Sequence, residues 1–166
     1  MAELSVAMLK QALAYNPETG IFTRLHTSTP NPRVKSGMPA GSRDSNGYLG
    51  IRIGKKRFLA HRLAWLHEHG TWPNCELDHI NGIKDDNRIA NLREATRSQN
   101  MANAPKPLTN TSGAKGVCFD KKNGKWMAYI QVNKRFRNLG RFETKDEAVA
   151  VRQAVARETF GEFLRA

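Results

Sequence analysis

The segment from Asn103 to Gly113 holds Pro105 and Pro107 among polar side chains and shows no apolar periodicity, so neither a helix nor a strand is expected to run through it. A chain of 166 residues can bury a core, but a break at that point makes it two small ones. The expected organisation is a first domain over 1–104, with an extension at 1–47 and its core at 48–104. A linker follows at 105–113, which can lie along a polyanion or act as a passive tether, and a second domain spans 114–166. The class is α+β.

Within the first domain, Val6, Leu9 and Leu13 follow a helical spacing after Ser5. Asn16-Pro17-Glu18-Thr19-Gly20 then turns the chain into a strand over Ile21 to Arg24. Residues Thr27 to Ser45 are polar and carry Pro30, Pro32 and Pro39, the composition of a loop. A hairpin around Gly54-Lys55-Lys56 leads into a helix from His61 to Glu68. Arg52, Lys55 and Lys56, with Arg57 beside them, form either a phosphate-binding patch or an ordinary solvated hairpin.

The chemistry concentrates further on. Asp78 stays ionised at neutral pH and suits a hard divalent ion, whereas His79 titrates near neutrality and can accept a proton. Neighbours on a strand point to opposite sides, so the two can take different roles. Thr96 followed by Gln99 is a capping box, which places Asn100 near the first turn of a helix. Taken singly these residues also make good turns: Asp-His before Asn-Gly is turn chemistry, and Asn91 can cap a loop.

Leu77-Asp78-His79-Ile80-Asn81-Gly82, Asp86-Asn87-Arg88-Ile89-Ala90-Asn91-Leu92-Arg93 and Gln99-Asn100 together resemble the HNH endonucleases, in particular the phage and intron-encoded homing branch. The resemblance covers about residues 48–104 and implies a ββα-metal nuclease core. It implies Asp78 and Asn100 as metal ligands, His79 as general base, and Asn91 as the amide that ties down the loop between strand and helix. Some relatives carry a further His one turn after the metal ligand. Position 104 here is Ala, so DNA phosphate and water are expected to complete the coordination of a Mg2+ or Mn2+ ion.

Beyond the linker, Gly116 to Phe119, Trp126 to Val132 and Arg135 to Leu139 read as three short strands, with turns at Lys122-Asn123-Gly124 and Asn133-Lys134. A second capping box, Thr144 with Glu147, starts a helix whose Ala148, Val151 and Val155 recur on one face. Gly116-Val117, Gly124-Lys125-Trp126, Leu139-Gly140-Arg141-Phe142 and Phe160-Gly161-Glu162-Phe163 resemble the AP2 DNA-binding domain over about residues 112–163. Alternation directs Trp126, Ala128, Ile130 and Val132 towards the helix and leaves Met127, Tyr129, Gln131 and Asn133 on the open face. The resemblance implies that this open face enters the major groove. Tyr129 and Gln131 are then expected near bases, with Lys115, Lys125, Arg135, Arg137 and Arg141 on the backbone. Cys118 stands where plant members carry a base-contacting Arg, which weakens the expected direct readout.

Charge agrees with a double-stranded DNA partner. The 27 Lys and Arg against 15 acids give +12. Residues 61–104 carry five basic and six acidic side chains, whereas 105–166 carry thirteen and six, so the excess lies outside the expected catalytic centre. Cys75 and Cys118 lack Cys-x-x-Cys pairing, and His67 and His69 diverge on a helix, so no structural zinc is expected. With no long apolar run and no signal peptide, the expectation is no membrane and a cytoplasmic site, that of the host bacterium for a phage protein. One catalytic centre per chain is compatible with nicking by a monomer or with double-strand cleavage. Two other readings fit the same residues: a catalytically silent AP2-type DNA-binding regulator, and a phage packaging-associated nuclease of low specificity.

Overall fold

The computed structural model describes residues 4–26 and 35–164, and divides into compact units at Met1–Glu94 and Ala95–Ala166. Part of the loop expected over Thr27 to Ser45 lies outside the described residues.

In the first unit, helix α1 (Val6–Ala12) is started by Ser5, whose Oγ accepts the Met8 N–H. The helical spacing of the sequence overshoots by one residue. Leu13 opens strand β1 (Leu13–Asn16), in which Leu13 and Tyr15 point inward and alternate with exposed residues. β1 pairs antiparallel with β2 (Ile21–Arg24). The Asn16 side chain closes their turn by accepting the N–H groups of Glu18 and Thr19 at 2.9 and 3.1 Å. A three-stranded sheet of β3 (Ser42–Arg43), β4 (Leu49–Ile53) and β5 (Lys56–Leu59) follows, in that order. Helix α2 (Ala60–His69) leaves β5 directly and ends at Gly70 in the left-handed region. β6 (Glu76–His79) and β7 (Leu92–Ala95) then form a two-stranded sheet.

The core of this unit joins α1, both hairpins and α2. Leu9, Phe22, Ile51 and Leu63 are completely buried, each burial contributing about 2 kcal/mol before entropy is charged. The buried face of α2 consists of Ala60, His61, Leu63, Ala64 and Leu66, so one imidazole is packed among apolar side chains.

In the second unit, helix α3 (Arg97–Asn103) starts at the expected capping box, Thr96 and Gln99 each bonding the other's backbone N–H. Strands β8 (Val117–Asp120), β9 (Lys125–Val132) and β10 (Arg135–Phe142) form an antiparallel sheet in the order β10-β9-β8. The β9–β10 hairpin turns on Asn133 and Lys134, both at positive φ, as a two-residue turn matched to strand twist requires. Helix α4 (Lys145–Phe160) carries the second capping box, Thr144 with Glu147. Ala128 and Ile130 of β9 pack against it, as alternation predicts. On α4 the buried contacts come from Ala148, Ala156 and Phe160, with the half-buried Val149 and Val155 packed beside them, whereas Val151, also half-buried, joins neither cluster.

The division between units falls ahead of α3 and not within 105–113, because α3 is held by the second unit. Ala102 joins the cluster of Ile130, Ala156 and Phe160. The Asn133 N–H donates to Ser98 Oγ at 2.7 Å. Lys115 Nζ donates to the terminal carbonyls of Met101, Ala102 and Ala104, covering the orphan acceptors of the helix end. The segment 105–113 is mostly exposed and passes through turns, the first closed by the Asn110 N–H on the Pro107 carbonyl at 3.0 Å, and it is tied down at its end, where Asn110 Oδ1 accepts the Gly113 N–H at 2.7 Å.

Candidate active site

β6 delivers Asp78 and His79 to the interior, where they are 3% and 4% exposed. A buried carboxylate needs a charged partner, and Asp78 has one: its Oδ2 accepts Nε of Arg93 at 3.0 Å and Nη2 at 2.9 Å. Arg93 comes from β7, the strand paired with β6.

His79 is oriented by Asn87. The Asn87 amide donates through Nδ2 to the Asp85 carbonyl, which turns its Oδ1 towards His79 Nε2 at 3.4 Å. An oxygen there accepts, so Nε2 carries the ring proton and Nδ1 the lone pair, the tautomer a base needs. Asn87 is completely buried and is anchored again by the Tyr15 hydroxyl, which donates to its backbone carbonyl at 2.7 Å. Burial lowers the His79 pKa below the ordinary value, opposed by the Asn87 hydrogen bond and by Asp78, Asp86 and Asp85. The imidazole is therefore neutral at pH 7.

Asn91 closes the loop between β6 and β7. Its Oδ1 accepts the Asn81 N–H at 3.0 Å, its Nδ2 donates to the Asp86 carbonyl at 2.8 Å, and its own carbonyl accepts the Ile80 N–H at 2.9 Å. Asp86 is bound in turn by Arg88 and Asn81, which hold its carboxyl down to about 2. The Asn91 amide thus ties Asn81 to Asp86 across the loop.

Three residues that carried no expected role complete the surroundings. His61 of α2 sets its ring edge-on to His79 at 5.0 Å, and Tyr48 lies 5.4 Å from His61 and 6.0 Å from His79. Lys84 Nζ sits 5.0 Å over the Tyr48 ring. Burial, then His79 and Arg62, drive the His61 pKa down to about 3, and its Nδ1 is buried without a hydrogen-bond partner. The signal for His61 was available as a polar residue on the otherwise apolar face of α2. Arg93 and Asn87 were legible only as letters of the motif.

Asn100 lies half-buried on α3. His67 and His69 pack against Tyr15 and Trp65 respectively. Among the described residues no group of three or more His, Cys, Asp and Glu is placed to hold an ion. The carboxylate of Asp78 is a hard oxygen donor, of the kind that suits Mg2+ or Mn2+ better than zinc.

The residues expected on DNA are placed differently from one another. Tyr129 and Gln131 occupy the open face of the sheet, where Tyr129 stacks on Phe136 at 5.1 Å. Arg135 and Arg137 do not join them. They lie opposite Val132 and Ile130, hence on the α4 side, and line a pocket with Thr159. Lys115 serves the end of α3, Lys125 pairs with Glu143 at 2.6 Å, and Arg141 pairs with Asp120 at 2.8 Å. In the first unit, Arg52, Lys55 and Lys56 are exposed on the β4–β5 hairpin, with Arg52 directly opposite Arg57.

A carboxylate and a neutral, oriented imidazole on adjacent residues of a short strand, followed by an amide-locked loop, define an HNH-type nuclease centre. The HNH endonuclease family matches residues 58–102, from β5 through α3, and the chain belongs to this family. It is similar to Protein 3.8 of Escherichia phage T7, with 32% identity over 108 residues, which is 63% of this chain and 87% of the relative. No solved structure matches the chain. The family implies DNA as substrate and typically uses a divalent metal. Among the described residues no helix is long and apolar enough to cross a membrane.

Proposed function

We propose that the protein is a metal-dependent DNA endonuclease that hydrolyses phosphodiester bonds in duplex DNA, site-preferring in the manner of homing enzymes. The observation that carries this reading is the neutral His79, held by Asn87 in the tautomer that presents a lone pair at Nδ1. His79 takes a proton from water as it attacks phosphorus, and the bond to the 3′ oxygen breaks, leaving a 5′ phosphate. Asn91 keeps the loop that follows His79 in register, and Arg93 fixes the rotamer of Asp78. Asp78 and Asn100 are the residues that would hold Mg2+ or Mn2+. A bound ion supplies charge neutralisation at the phosphate and the leaving oxygen.

The second unit anchors the chain on duplex DNA in the manner of an AP2 domain, with Tyr129 and Gln131 towards the bases. Its support is a three-stranded antiparallel sheet backed by one helix and open on the other side.

One observation favours a second reading. Arg93 is a permanent cation on the carboxylate assigned to the metal, which suits a DNA-binding regulator whose nuclease core has become a scaffold. Supercoiled plasmid incubated with wild type and His79→Ala under Mg2+, Mn2+ and EDTA separates the two. Nicked or linear product from wild type alone, abolished by EDTA, supports the nuclease. Cleavage retained in full by His79→Ala overturns the assignment of the base, and a gel shift without cleavage favours the regulator.

A further inference from the structure

The sheet of β3, β4 and β5 has one face on the core of the first unit. Leu49, Ile51 and Ile53 of β4 and Phe58 of β5 pack there, so alternation turns Gly50, Arg52 and Arg57 to the other face. Arg52 and Arg57 stand directly opposite each other on it, and like charges in that relation cost free energy. Gly50 lets Arg57 cross the sheet. A Cβ at that position would overlap the Arg57 guanidinium, which passes over β4 to donate through Nη2 to the Ser42 carbonyl of β3 at 3.2 Å. Its Nη1 is 3.9 Å from Asp44, the outer limit of an ion pair.

Arg24 joins them from β2. Residues 38–40 run beside that strand, the Arg24 N–H donating to the Met38 carbonyl at 3.0 Å and the Ala40 N–H to the Phe22 carbonyl at 2.7 Å, and then lead into β3. Between the two hairpins this leaves a hollow of about 280 Å3, lined by Arg24, Arg52 and Arg57 together with Met38, Ser42 and Gly50. No Asp or Glu is among its described lining residues. Other arginines of the unit are matched differently. Arg43, Arg88 and Arg93 each pair with an aspartate, and Arg62 lies over Trp72. Among the described residues Arg24 and Arg52 take part in no ion pair.

We infer that this hollow binds one backbone phosphate of duplex DNA, with Arg24 and Arg52 as donors from its walls and Arg57 laid across its floor. An anion held there offsets the repulsion between Arg52 and Arg57, and planar guanidinium forks suit phosphate oxygens. The inference rests on the DNA-directed reading above. It moves the first unit's phosphate contact from Lys55 and Lys56, at the tip of the β4–β5 hairpin, to the face of the sheet.

The test is binding of the full chain to two short fluorescent duplexes of unrelated sequence in EDTA, read by anisotropy across a salt series. Arg52 is exposed and Arg24 is held through its backbone, so Arg24→Gln/Arg52→Gln leaves the packing intact. The control, Lys121→Gln/Lys122→Gln, removes the same charge from the exposed β8–β9 turn. The expected result is about tenfold weaker binding of both duplexes by the hollow variant, with a slope of log K against log salt shallower by about one, against less than about twofold for the control. Unchanged affinity and slope in the hollow variant overturn the site. So does equal loss in the control, which would make the effect one of net charge, and so does loss on one duplex alone, which would mean a base contact. Failure of wild type to bind either duplex removes the DNA-directed reading together with the site, whereas binding without plasmid cleavage removes the nuclease reading alone.

Discussion

Arg93 sets two N–H groups on a single oxygen of Asp78, at 3.0 and 2.9 Å, from the strand paired with its own. Both side chains are nearly excluded from water, 14% and 4% exposed. Breaking a buried, doubly hydrogen-bonded ion pair by removing one side is costly, so Arg93→Gln is expected to lower stability by about 3 kcal/mol in urea unfolding. Asp78→Asn in the same chain should restore much of that loss without restoring cleavage. Additive losses in the double variant would show that the pair is not coupled.

The His61 imidazole makes stability depend on pH. Its folded pKa of about 3 lies below the ordinary 6.5. As pH falls through 6.5 the unfolded chain takes up a proton that the folded chain refuses, so stability is lost from pH 6.5 down to about 3. At most this amounts to about 1.4 kcal/mol per pH unit. His61→Phe should flatten the difference between urea midpoints at pH 7 and pH 5. An unaltered difference would mean that other groups carry it.

Asn91→Ala deprives the Asn81 N–H and the Asp86 carbonyl of their partner. The expected cost is about 2 kcal/mol, with faster amide exchange at Asn81 and at least a tenfold loss of cleavage rate. Asn91→Asp keeps the acceptor but loses the donor, so it should protect Asn81 while leaving the Asp86 carbonyl unbonded. Exchange at Asn81 that is slow in both variants would contradict the tie.

Lys115→Met takes the ammonium from the last carbonyls of α3. Stability should fall by about 1–2 kcal/mol, and the salt slope of DNA binding should stay within about half a unit of wild type. A loss of a full unit of slope at unchanged stability would return Lys115 to the DNA.

Much of the second unit was readable because its signals are local. Capping boxes at Thr96 and Thr144, glycine and asparagine turns, and the alternation of Trp126 to Val132 each act over a few residues and agree with the structure. β1 escaped notice because Leu13 satisfies the helical period and only its pairing with Arg24 makes it a strand.

The charged residues divide differently. Composition alone makes a polyanion the natural partner, and the spacing from Asp78 through Asn91 marks the segment that carries the HNH pattern. Which cations remain available is settled by cross-strand register and by helix ends. Arg135 and Arg137 follow Val132 and Ile130 to the α4 side, and Lys115 finds the carbonyls of α3. Likewise, nothing in the order of residues announces that His61 rests against His79 or that Asn87 orients it. Periodicity and turn chemistry act along the chain and can be read there. Burial, ion pairing and the choice of tautomer arise between segments distant in sequence, and only the packed structure brings those together.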